Sequence, residues 1–168
     1  ESILKSCKYG FINIHASLLP KYRGAAPIQR SLINLEKFTG ISFMKLNNVL
    51  DSGPIFNQYK IPINKTDNSE TLSKKLSELS AEKIIQNIEL IFSNKATFVD
   101  QIHNKASYAE KINKMEGKIN WNESALNILG KINGLFPNPG AWFEFKKERY
   151  KSVKSELSEA TGKPGEVI

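Results

Sequence analysis

The sequence predicts an α/β fold. Three observations carry that expectation. Residues 11–15 read Phe-Ile-Asn-Ile-His, an apolar run of strand length that breaks at once into a polar loop. Ile55, Tyr59, Ile61 and Ile63 alternate with Phe56, Gln58, Lys60 and Pro62, the period of a strand with one better-buried face. Leu72, Leu76, Leu79, Ile84, Ile88 and Ile91 then recur at the spacing of an amphipathic helix. The chain has 168 residues, 40% hydrophobic and 24% charged. That composition is globular, and the length suits one domain with a sizeable core or parts of two.

Taken in order, Glu1 to Lys8 reads as the tail of a helix ended before Gly10, with Cys7 a small buried apolar residue. The strand at residues 11–15 passes into a loop marked by Ser17, Pro20 and Gly24, with Lys21 and Arg23 between them. Pro27 to Asn34 carries Ile28, Leu32 and Ile33 at helical spacing, with proline in the first turn. Thr39 to Leu46 is strand-like. The next strand, residues 55–63, ends or lies at an edge because Pro62 cannot donate to a ladder. Asp67-Asn68-Ser69-Glu70 supplies caps for a helix over residues 69–93, whose apolar stripe should lie on the sheet. Periodicity is lost over residues 94–116, an extended connector in which His103 is an exposed residue. A capped helix follows over residues 124–134, ending near Gly134. Pro137-Asn138-Pro139-Gly140 is a turn. Ala141 to Phe145 and Tyr150 to Ser155 then make a hairpin through residues 146–149, and Trp121, Trp142 and Phe143 belong to a core.

Two polar side chains interrupt the first strand. Asn13 and His15 are two residues apart and so share one face. A strand that carries an amide and an imidazole to its end, just before a polar loop, is how open α/β sheets build sites. The same pattern also fits a buried pair satisfied by backbone bonds. Leu50-Asp51-Ser52-Gly53 adds one carboxylate on a tight turn, which by itself is also an ordinary solvated turn. Together Asn13, His15 and Asp51 are a carbonyl-polarising donor, a proton-transfer group and a charge to orient it. That set suits acyl or formyl transfer without a covalent enzyme intermediate.

The run Asn13-Ile14-His15-Ala16-Ser17-Leu18-Leu19-Pro20-Lys21-Tyr22-Arg23-Gly24 resembles the signature of the folate-dependent formyltransferases, with Ala16 where that family usually has glycine. The continuation Ala25-Ala26-Pro27-Ile28-Gln29-Arg30 resembles the methionyl-tRNA branch of the family. The resemblance covers nearly the whole chain. It implies that Asn13, His15 and Asp51 are catalytic and that Ser17, Leu18, Leu19 and Pro20 contact the folate. The co-substrate it implies is 10-formyltetrahydrofolate, and the acceptor is the amine of initiator methionyl-tRNA. Arg23 then either meets a phosphate or folate carboxylate or is an exposed surface arginine.

The resemblance also divides the chain. Residues 1–95 match the C-terminal half of a Rossmann-like catalytic domain. Residues 96–116 match an interdomain linker, and residues 117–168 the start of a small OB-like β-barrel. It further implies preceding strands that pair with residues 11–15 in a parallel sheet, a continuing barrel, and a 168-residue piece inactive on its own. The full-length protein is expected to be monomeric and cytoplasmic.

Composition bounds the partners. One cysteine excludes an internal disulfide framework, and two distant histidines without ligand-spaced neighbours give no reason to expect a metal. No apolar run approaches a membrane span, so no membrane partner is expected. The net charge of +7 is compatible with an acidic partner such as RNA. Two other readings compete. One is a formyltransferase or hydrolase of the same superfamily acting on a purine-precursor or sugar-nucleotide amine. The other is a non-catalytic RNA-binding module. Against the latter, residues 96–168 carry 11 basic and 9 acidic residues, a weak excess.

Overall fold

The computed structural model describes residues 3–166. Its central element is a three-stranded sheet in the order β1-β3-β4. β1 is Ile12–His15, β3 is Phe38–Lys45 and β4 is Ile55–Pro62. Both pairings are antiparallel, with Asn13 opposite Met44 and His15 opposite Ser42. The parallel partners implied for β1 are other strands; β1 and β3 themselves run antiparallel. The intervening helix explains this. α1 (Pro27–Ile33) has only 7 residues, about 10 Å of rise. The 8-residue β3 is about 27 Å long, so α1 cannot carry the chain back along the sheet. β4 is an edge strand that ends at Pro62, as its proline requires.

The period of two splits the sheet into a core face and a polar face. Ile12, Ile14, Ile41 and Phe43 pack with Leu32 and with Leu72 and Leu76 of α2 (Ser69–Phe92). Asn13, His15, Ser42 and Met44 occupy the opposite face. Asn68 caps α2 reciprocally with Thr71, and the buried Asp67 binds Lys75 at 2.6 Å. Leu72, Leu76 and Ile91 are buried, but Ile88 is exposed. Ile88 and Phe92 face Ile12 and Ile14 across a cavity of about 330 Å³. Cys7 lines it and is exposed, against the expectation of burial. The short turn of 3-10 helix at Ile3–Lys5 replaces the expected helix tail; Glu1 and Ser2 lie outside the described residues.

The connector is not detached. Val99 bridges to Ile55, and β5 (Tyr108–Ala109) pairs in parallel with β2 (Arg23–Gly24). Segments without side-chain periodicity still need partners for their backbone, and here they find them in the loop after β1. Beyond it, Ser124 caps α3 (Ala125–Leu135), which packs against α1. α3 ends at Leu135, one residue past Gly134, as the spacing predicts. The β6–β7 hairpin, Ala141–Phe145 with Glu148–Ser152, turns through Lys146 and Lys147 alone, both with positive φ (49° and 67°). Ile119, Ile132 and Ala141 form a small core with Ile128 and Phe143 against it, and Trp142 is buried beside it, under the Arg149 guanidinium, whereas Trp121 is 41% exposed and lies edge-on to Phe143. Trp121 is thus a lid on this small core and not part of it. Among the described residues these elements form a helix and a separate two-stranded sheet, without a closed barrel. No described helix is long and apolar enough to cross a membrane.

Candidate active site

The polar face of the sheet meets the Asp51 turn at His15. The ring is 7% exposed, and its Nδ1 lies 3.7 Å from Oδ2 of Asp51, itself 12% exposed. On its other side, Nε2 is 2.8 Å from the carbonyl oxygen of Tyr22. A carbonyl only accepts, so Nε2 carries the hydrogen. In a neutral ring Nδ1 then presents a lone pair to a carboxylate. The separation is too long for a direct hydrogen bond. Two acceptors facing each other are favourable when a proton, or a group that donates to both, lies between them.

Three features fix Asp51. Its backbone is left-handed, with φ +46°, which few non-glycine residues adopt without outside support. Oδ2 accepts a hydrogen bond from Gly24 N at 2.8 Å. The turn is closed beneath by Ser52, whose hydroxyl donates to Asn47 and to the Val49 carbonyl, and by Gly53, which lies directly against the Lys45 carbonyl. Asn13 projects from the same strand face as His15, two residues earlier, and is half-buried. Among the described residues no side-chain hydrogen bond holds its amide.

The Ser17–Pro20 loop lies over this face. Ser42 in β3 is wholly buried and donates to the Ser17 carbonyl at 2.6 Å, while its oxygen accepts from Leu19 N and from Gln58. Gln58 also donates to the Leu19 carbonyl, and the Ser17 hydroxyl donates to the Lys21 carbonyl. Ser17 and Leu19 therefore point inward, and Leu18 and Pro20 are the partly open members. Leu19 and Pro20 form one wall of a cavity of about 350 Å³, with Phe56, Gln58, Gln101 and Ile102 opposite. Tyr22 anchors the far end of the loop by donating to Glu36 and accepting from Asn34. Burial pushes its phenol above the ordinary value; the Asn34 donation opposes this and Glu36 adds to it.

Arg23 is neither exposed nor open to a ligand phosphate. It is 2% exposed and bound to the Gln101 side chain, a correction to both sequence expectations. Gln101 carries no local signal that marks it. Its place depends on segments 78 residues apart in the chain. Among the described residues no cluster of three or more His, Cys, Asp or Glu side chains could hold a metal.

Residues 1–88 match the family profile described as formyl transferase, and residues 111–168 match that of the formyl transferase C-terminal domain. The chain belongs to the formyl transferase family. Among curated relatives, the methionyl-tRNA formyltransferase of Pelagibacter ubique is 60% identical over the whole chain, which spans 54% of that relative. The one from Thermodesulfovibrio yellowstonii is 48% identical with the same coverage. The chain thus spans about half the length of these relatives. A solved N-formyltransferase from Helicobacter canadensis, in complex with folinic acid and dTDP-3-aminofucose, is 27% identical. It superposes with a TM-score of 0.78, over 89% of this chain and 55% of that one. The α/β fold of the formyl transferases is accordingly the fold of this chain.

Proposed function

We propose that this chain carries the catalytic residues of an enzyme that moves the formyl group of 10-formyltetrahydrofolate onto the amine of initiator methionyl-tRNA. The observation that carries the reading is the buried His15–Asp51 pair, 3.7 Å apart, beside an amide on the same strand face. The acceptor amine attacks the formyl carbon and a tetrahedral oxyanion forms. Asn13 donates a hydrogen bond to that oxyanion. The amine proton passes to the site between His15 and Asp51 and leaves on the folate nitrogen as the carbon–nitrogen bond to the folate breaks. With Nε2 committed to the Tyr22 carbonyl, the proton work of His15 falls to Nδ1. The Ser17–Pro20 loop takes the folate; Leu19 and Pro20 line its cavity, and Leu18 is a partly open member of the loop. Residues 1–95 serve as the catalytic part and 96–116 as the linker. Residues 117–168 are the beginning of a barrel, in a cytoplasmic enzyme that works as a monomer.

The sugar-nucleotide alternative has one specific support, the solved neighbour at TM-score 0.78. The identity of 60% to a methionyl-tRNA enzyme against 27% to the sugar enzyme favours the tRNA acceptor. Single-turnover formylation in the complete natural protein tests the reading. Asp51→Asn is nearly isosteric and keeps an acceptor for Gly24 N, so folding and folate binding should hold. Turnover should fall on the order of a hundredfold, about 3 kcal/mol in the barrier. A variant that kept more than about a tenth of the rate would remove Asp51 from the mechanism. Formylation of an amino-sugar nucleotide in preference to methionyl-tRNA would overturn the acceptor assignment.

A further inference from the structure

Gln101 lies between the two stretches that match family profiles, residues 1–88 and 111–168, and neither stretch includes it. It is nonetheless buried, and all four of its hydrogen-bonding positions are engaged. Its Oε1 accepts from Arg23 Nε at 3.0 Å and from Arg23 Nη2 at 2.7 Å. Its Nε2 donates to the Asp51 carbonyl at 2.9 Å and to the Gly53 carbonyl at 2.8 Å. Chemistry fixes the amide's orientation. Flipped, it would set donors against a guanidinium and an oxygen against two carbonyls.

Arg23 explains why an amide is needed there. The guanidinium is 2% exposed and, among the described residues, no carboxylate lies within ion-pair distance of it. Its buried charge rests on the Gln101 oxygen and on His103 Nδ1 at 3.3 Å. Drawing on the Gln101 oxygen polarises the amide and strengthens its donation at the other end. That end grips both carbonyls flanking Ser52, in the turn where Asp51 holds a left-handed backbone. The next residue of β2, Gly24, grips the Asp51 carboxylate. Asp51 is therefore clamped at its backbone through Gln101 and at its side chain through Gly24, from neighbouring residues of one short strand.

We propose that Gln101, anchored by Arg23, is a positioning residue that sets Asp51 against His15; this rests on the catalytic reading of Asp51 above. It touches no substrate atom in the step and acts through Asp51. The region joining the two family-matched stretches is then part of the active site.

The test is kinetic, in the complete natural protein. Gln101→Glu keeps an acceptor for Arg23 and neutralises its charge, but it removes both donations to the turn. The expected result in the folded variant is a fall in kcat of about tenfold or more, with KM for folate and tRNA within about twofold. In an Asp51→Asn background the same change should cost less than about twofold, because its route to the chemistry is already cut. Should Gln101→Glu not fold, the paired Arg23→Met, Gln101→Met variant removes charge, acceptor and donor together, with the same expectations. A folded variant with natural kcat, a loss confined to KM, or a full further loss in the Asp51→Asn background would each overturn the proposal. The two readings fail separately. Natural turnover by Asp51→Asn alone refutes the role of Asp51. A slow Asp51→Asn beside a normal Gln101→Glu refutes only the clamp.

Discussion

Asp51 sits where a carboxylate is costly to hold, on a left-handed residue and largely out of water. The glycine two residues on makes this possible. A Cβ built on Gly53 would lie 1.7 Å from the Lys45 carbonyl oxygen, a backbone atom that cannot step aside. That carbonyl belongs to the end of β3, whose Lys45 N in turn donates to the Pro54 carbonyl at 2.9 Å. Gly53→Ala should therefore pry the turn off the strand. We expect a loss of about 1–3 kcal/mol in a denaturant melt and a loss of turnover with it. An alanine variant as stable as the natural protein would mean that the turn adapts and that its glycine is incidental. At this scale the sequence was partly legible. Asn13, His15 and Asp51 announce themselves because their chemistry is unusual for a strand and a turn. Arg23 does not, because an arginine between Lys21 and Gly24 in a polar loop reads as solvated. Its burial follows from Gln101, 78 positions away, and from a strand pairing that only two residues make on each side.

Among elements, the contact between α1 and α3 shows local propensity losing to packing. Gly130 and Gly134 are spaced to lie on one face of α3. By propensity alone, alanine at an interior helical position is better than glycine by about 1 kcal/mol. Here a Cβ on Gly134 would meet Ile33 Cγ1 at 2.6 Å and the Gln29 carbonyl at 2.9 Å. One on Gly130 would meet a Leu35 methyl at 2.8 Å, the flexible end of a side chain, and the Leu32 and Ile33 carbonyls at 3.0 and 3.2 Å, a little farther than Gln29 lies from Gly134. Gly134→Ala should reverse the propensity gain and lower stability by about 1–3 kcal/mol, while Gly130→Ala should cost less. Thermal melts of the two variants decide it; a Gly134→Ala variant more stable than the natural protein would show that propensity wins. Glycine near the end of an apolar period is the usual stop signal, and α3 does end one residue past Gly134. Close approach of a second helix uses the same residue for another reason. The helix positions themselves were legible, because α2 and α3 have caps and a sustained period; strand direction was not, because period says nothing about the partner's sense.

For the whole molecule, one ion pair ties the sheet-side unit to the C-terminal unit. Arg30 in α1 reaches Glu116 with Nη1–Oε2 at 2.6 Å and Nη2–Oε1 at 3.2 Å, a two-pronged contact. Arg30 also donates to the Glu110 and Lys111 carbonyls, which fixes the connector between the units. The Arg30 hydrogen bond holds the Glu116 carboxyl below its ordinary value of 4.5; partial burial opposes this, and donation from Asn113 N adds to the lowering. A carboxyl depressed in the folded state stabilises the fold above its unfolded value, and that contribution fades as pH falls through the lowered folded value. Its size is limited because the Glu116 side chain is 37% exposed, so water and salt screen the pair to no more than about 1 kcal/mol. Glu116→Gln should therefore lower the melting temperature by a few degrees at neutral pH. The difference should shrink below the ordinary glutamate range, and also in about 1 M salt at neutral pH. The amide oxygen introduced by Glu116→Gln would still accept from Asn113 N, so the cap of the turn at Lys114–Gly117 survives and the change reports on Arg30. A difference of the same size at neutral and acid pH would mean that the charge of Glu116 does nothing here. The joint between the units would then rest on α1 against α3, where Gly130 and Gly134 let the helices meet.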